Sequence, residues 1–118
     1  MENLEDYVAA LFGIDTAELF TPTRRRVVVE ARQLCMTCLR RYTDASTSIV
    51  GQYFNRDHST VVASCFTFAD LYETDKALKT KADDVYNKCK RLELNLPFNP
   101  SPVRYFNCNV NDEELILQ

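Results

Sequence analysis

Two glycines in 118 residues cannot build a phosphate-cradling loop or a dinucleotide fingerprint, each of which needs two or three glycines within a few positions. A P-loop ATPase and a Rossmann enzyme are excluded on that count. Tryptophan is absent and histidine occurs once, as His58. With one imidazole, and no Ser or Cys placed beside a base and an orienting acid, no catalysis and no cofactor are expected. No apolar run approaches the roughly 20 residues that cross a bilayer, so no membrane partner is expected. The first residues, MENLEDYVAALFG, are acidic where a secretory leader is basic. Five cysteines, an odd number without such a leader, read as reduced thiols of a cytoplasmic protein.

What remains suits one globular domain: 46% hydrophobic and 26% charged residues. The net charge of −3 hides a strong asymmetry. Residues 1–21 carry five acids and no base. Residues 22–62 carry seven arginines against Glu30, Asp44 and Asp57. The rest is mildly acidic. The middle third can therefore present one basic face on an acidic protein, because salt screens exposed charges beyond about 10 Å.

Apolar spacing predicts an all-α chain of five to six helices. Leu4, Val8, Leu11 and Phe12 form one face of a short helix that Asn3 caps and Gly13 stops. Asp15 to Glu18 reads as a second capped turn, with Leu19 and Phe20 inward, before Thr21-Pro22 breaks the chain. Val27, Val28, Ala31, Leu34, Cys35, Cys38, Leu39 and Tyr42 recur at helical steps over about 18 residues, marking a core helix. Its opposite face carries Arg25, Arg32, Gln33 and Arg40. Ser46 caps a short helix with Ile49, Val50, Tyr53 and Phe54; Asn55-Arg56 turns; Asp57 caps the next helix, through Val61, Cys65, Phe68 and Leu71. A last helix starts near Thr74-Asp75, with Leu78, Ala82, Val85, Cys89 and Leu92 as its stripe. Three of the four prolines, Pro97, Pro100 and Pro102, then forbid a regular helix. The division expected is a helical domain over 1–92 and an extended Pro-containing tail over 93–118, with Val103–Phe106 as a short strand or docked segment and an acidic patch at Asp112–Glu114. Cys35 and Cys38 lie mid-helix on the apolar stripe, where free cysteine is a small core residue, so no metal site is expected.

A short helix, a tight turn and a capped second helix make a helix-turn-helix. The second helix opens on Asp57, His58, Ser59 and Thr60, hydrogen-bonding side chains of the size that recognition helices set against base edges. The run Val50-Gly51-Gln52-Tyr53-Phe54-Asn55-Arg56-Asp57-His58-Ser59-Thr60-Val61 resembles the signature of the C-terminal DNA-binding domain of DnaA, the bacterial chromosomal replication initiator. Leu11-Phe12-Gly13-Ile14, Glu18-Leu19-Phe20 and Glu30-Ala31-Arg32-Gln33-Leu34-Cys35-Met36 extend the resemblance, which covers about Leu4 to Arg91.

The resemblance implies double-stranded DNA as partner, in replication initiation or its regulation, and a nucleoid-associated protein. It implies that Arg24 reaches into the minor groove, that Arg32 beside Gln33 reads a major-groove base, and that Arg40 touches phosphate. It also implies that Asp57, His58, Ser59 and Thr60 read bases and thymine methyls. Arg25 joins Arg40 as a phosphate contact that positions without reading sequence. Arg56 either holds a phosphate or braces the turn through Asp57, and capping alone accounts for Asp57. Two departures stand out. No Lys or Arg lies between residues 57 and 75, where the family is usually basic, so weaker and less salt-dependent binding is expected. The family's ATPase module is not part of this sequence. The alternative is a protein-interaction adaptor that keeps the fold with weak or no DNA binding, meeting a partner or a second copy through Phe66 or the C-terminal tail.

Overall fold

The longest apolar stripe becomes the axis of the fold. In the computed structural model, which describes residues 1–101, α2 (Arg26–Tyr42) runs through the middle of the chain. Ala31, Leu34, Cys35, Met36, Cys38 and Leu39 on it are fully buried. Around it pack α1 (Leu4–Phe12), α3 (Thr47–Tyr53), α4 (His58–Thr74) and α5 (Lys76–Lys90), with a 3-10 helix (Thr16–Phe20) between α1 and α2. The described residues contain no strand, only two isolated backbone bridges. The all-α expectation holds, and no helix among them is long and apolar enough to cross a membrane.

The boundaries follow local chemistry. Gly13 ends α1 in the left-handed conformation, φ 70°, and its N–H closes on Ala10. The Asp15 N–H donates to Glu18 Oε2 at 3.0 Å, starting the 3-10 helix. Ser46, Asp57 and Asp75 each accept a backbone N–H from the first turn of α3, α4 and α5. Such caps are worth about 1 kcal/mol apiece. Asn3 sits at the α1 N-cap without accepting a backbone amide there; its amide donates to Asp6 at 3.5 Å.

Cys35, Cys38 and Cys89 are core residues, as their spacing predicts, and burial pushes the Cys35 and Cys38 thiols well above their ordinary pKa. Reactive thiols are shifted the other way. Leu92 departs from the expected α5 stripe. The helix has ended by then, the residue takes φ 56°, and its side chain is exposed.

Residues 93–101 run without helix across the bundle. Leu4 N–H donates to Asn95 O and Asn95 N–H to Glu2 O, at 3.0 and 2.8 Å. Asp44 N–H donates to Asn99 O, Leu94 is buried, and Phe98 meets Tyr53 edge-on at 5.4 Å. Pro102, the expected Val103–Phe106 segment, Cys108 and the acidic patch lie outside the described residues.

Glu5, on α1, is buried with Oε1 lacking a partner among the described residues. Burial raises its carboxyl pKa, against smaller opposing help from backbone amide and the Tyr53 hydroxyl. A carboxyl raised on folding adds stability that is fully present below its unfolded value and lost as pH rises through the folded one. As pH rises above the ordinary glutamate value of about 4.3, the wild type should therefore lose stability relative to Glu5→Gln. Urea midpoints at several pH values measure this, and parallel profiles would contradict it.

Candidate nucleic-acid interface

Three stretches of chain converge on one backbone oxygen. The end of the 3-10 helix supplies the Thr21 carbonyl. From α2, Arg32 donates Nε to Leu19 O and Nη2 to Thr21 O, both at 2.8 Å. From the turn between α3 and α4, Arg56 donates Nη2 to the same Thr21 O at 2.9 Å and Nη1 to Phe54 O at 2.9 Å. Phe20 stacks on Phe54, centroids 5.2 Å apart, and meets Tyr53 edge-on at 5.4 Å, fixing α3 to this corner.

The two guanidiniums are close enough that Arg56, after burial, lowers the Arg32 pKa. Among the described residues neither has a carboxylate partner; the ion pairs there are Arg25–Glu18 at 2.7 Å and Arg26–Glu30 at 3.1 Å. Arg32 and Arg56 therefore carry their charges on backbone carbonyls, with no direct ion pair among the described residues. Arg24 follows Thr21 by three residues, is exposed, and has no partner among the described residues. Arg25 is exposed, and its surface pair with Glu18 is of a kind worth about 0–1 kcal/mol, weak enough to exchange.

The turn itself is held tight by Gly51. Arg56 N–H donates to Gly51 O at 2.7 Å, and a Cβ on Gly51 would lie 2.5 Å from Arg56 O and 3.2 Å from Asp57 C and O. Asn55 takes the left-handed φ of 59°, which Asn tolerates better than most residues. Asp57 Oδ1 then accepts Thr60 N–H at 2.9 Å, and that bond holds the Asp57 carboxyl below its usual range. His58, Ser59 and Thr60 stand exposed on the first turn of α4, beside Arg56 in the chain. Further along the helix, Val62 and Phe66 are exposed, and with His58, Ser59, Ala63 and Thr67 they line one shallow open depression.

Several expected site residues sit where their expected role does not place them. Arg40 is 1% exposed, with Nη1 donating to Ala45 O at 2.6 Å. It cannot offer its charge to a phosphate from there. The cause is that α2 is covered around its whole circumference over residues 34–40, where Met36, Thr37 and Arg40 are buried together with the apolar stripe. Arg32 is 6% exposed and committed to two carbonyls, so the structure presents it as a brace and not as a base-reading side chain. Arg56 does brace the turn, through Phe54 and Thr21 carbonyls and not through Asp57. Gln33 is half-buried, its Oε1 unpartnered among the described residues. Arg56 is tied to the Thr21 carbonyl, three residues before Arg24 in the chain, and Asp57, His58, Ser59 and Thr60 follow Arg56 directly. The sequence reading missed the steric role of Gly51 and the Thr21 carbonyl. The first had a signal, a glycine five residues before Arg56 in a glycine-poor chain; a main-chain oxygen had none.

Comparison with known proteins gives one consistent answer. Residues 1–67 match the family model described as the bacterial DnaA protein helix-turn-helix. The chain is 40% identical over 89 residues to the chromosomal replication initiator protein DnaA of Flavobacterium psychrophilum, covering 75% of this chain and 19% of that one. It is 32% identical over 92 residues to the DnaA of Bacteroides thetaiotaomicron, covering 77% and 20%. To the DnaA of a Synechococcus strain it is 41% identical over 69 residues, covering 58% and 15%. The chain thus spans about a fifth of the length of the first two of these relatives.

Proposed function

The chain belongs to the bacterial DnaA helix-turn-helix family, and on that premise we propose that it binds double-stranded DNA with sequence preference, in the initiation of replication or its regulation. The observation that carries the reading is the corner around Thr21. An exposed α4 N-terminus bearing His58, Ser59 and Thr60 follows Arg56 in the chain, Arg56 shares the Thr21 carbonyl with Arg32, and neither arginine pairs with a carboxylate among the described residues. An α-helix fits the roughly 12 Å major groove, and its first turn reaches base edges there. Arg24, three residues beyond the carbonyl that anchors both arginines, is the arm for the neighbouring minor groove. Arg25 and Arg56 meet phosphates at the rim. Arg32 acts by holding the Leu19–Thr21 backbone, from which that arm departs, and Asp57 acts by ordering the first turn.

The test is a titration of fluorescent duplexes, one carrying the replication initiator's box and one a scramble of it. The wild type should prefer the box, and His58→Ala should reduce that preference about tenfold, the loss of one good base contact. His58 is exposed, so the variant should melt with the wild type. The two phosphate contacts, Arg25 and Arg56, predict a log–log salt slope near −2, at about −0.9 per phosphate. A wild type that shifts neither duplex at low salt overturns the reading.

A further inference from the structure

The face of α4 beyond its first turn is apolar where a DNA-binding helix needs charge or hydrogen bonds. His58, Ser59, Val62, Ala63, Phe66 and Thr67 fall at helical spacing on one side and line one depression. Val62 and Phe66 are 37% and 40% exposed, and residues 57–75 contain no Lys or Arg. The proposed function assigns the polar end of this depression to base edges and leaves the apolar end without a role.

Resting on that reading of the polar end, we propose that Val62, Ala63 and Phe66 are specificity-determining residues that pack on thymine C5-methyl groups deeper in the same major groove. The depression runs without a break from His58 and Ser59 to Phe66, so a duplex seated at its polar end lies next to Phe66. Phe66 lies eight residues along from His58, about 12 Å at 1.5 Å per residue. That is three to four base steps at 3.4 Å each. Within the major groove, the apolar group a base pair offers is the thymine methyl. Asp70 and Glu73, exposed on the next turns, would repel phosphate, which ends the contact near Thr67. An apolar track bounded by acids selects a methyl-bearing floor in place of a charged backbone.

The experiment replaces thymine by deoxyuridine, which removes the methyl and keeps the base pair. The full chain first selects a duplex from a randomised pool, and each thymine of that duplex is then exchanged singly. Affinity should fall about three- to fivefold per contacted methyl. The sensitive positions should form two groups, three to four steps apart. In Val62→Ser/Phe66→Ala, whose replaced side chains are exposed in the fold, the second group should lose its sensitivity while the first keeps it. Folding of the variant is checked by its melting curve. If the wild type selects a duplex but shows only the first group, or if the variant retains both, the proposal fails while DNA binding stands, and the Phe66 face belongs to a protein partner. If the wild type selects no duplex, the underlying reading fails and the proposal with it.

Discussion

Gly51→Ala is expected to cost about 3 kcal/mol of stability, at the upper end of overpacking substitutions. The added methyl would stand 2.5 Å from Arg56 O and 3.2 Å from Asp57 C and O. All three are backbone atoms, so no side-chain rotation relieves the clash. The only escape is to open the turn, which breaks the 2.7 Å bond from Arg56 N–H to Gly51 O and loosens the grip of Arg56 on Phe54 and Thr21. A loss of this size lowers the melting temperature by roughly 10–20 °C. Box binding should be lost at temperatures where the variant is still largely folded, because the turn sets where His58 points. Gly13→Ala is the control. Nothing lies within 4 Å of its Cβ, so its cost is the roughly 1–2 kcal/mol of a left-handed alanine, and box affinity should be kept. A Gly51→Ala protein that melts with the wild type would contradict the tight-turn account.

The second large effect concerns Arg32. As a brace, it satisfies the Leu19 carbonyl in a fully buried residue and shares the Thr21 carbonyl with Arg56. Arg32→Ala leaves the Leu19 oxygen without this donor, a loss of about 1–3 kcal/mol, and opens space where the guanidinium packed. A destabilisation of roughly 2–4 kcal/mol is expected, with weaker binding to box and scramble by similar factors. Arg32→Lys should recover little, because an ammonium is not a planar fork that spans two carbonyls. A base-reading Arg32 predicts the opposite pattern: unchanged stability and a loss confined to the box. Melting curves and the two titrations together separate the cases.

These two residues also mark where the sequence was legible. The helices were, because an apolar residue every three or four positions has one physical reading, and caps such as Ser46 and Asp57 announce their starts. That His58, Ser59 and Thr60 open α4 followed from the Asp57 cap. The polar side of α2 was misleading. Arg32 and Arg40 looked like a solvated face, yet this central helix is enclosed by its neighbours, and long guanidinium side chains are buried by giving their N–H groups to carbonyls. Which arginines surround a carbonyl depends on chain reversals that no local pattern encodes. The docking of residues 93–101 was hidden for a similar reason: it rests on main-chain bonds to Glu2, Leu4, Tyr42 and Asp44, which leave no mark on side-chain periodicity. The role of Gly51 was readable only as scarcity, one of two glycines placed before a turn.

The central claim is that one corner, formed by the Thr21–Arg25 link, the Arg56 turn and the first turn of α4, is the surface that duplex DNA occupies. Amide and arginine side-chain chemical shifts of the isotopically labelled chain, followed during titration with the box duplex, test it directly. The account predicts saturable changes at His58, Ser59 and Thr60 and at the Arg24 and Arg56 side chains, with Arg40 and the α5 amides unmoved. Changes centred on α5 or on Arg40, with the α4 N-terminus silent, would contradict it.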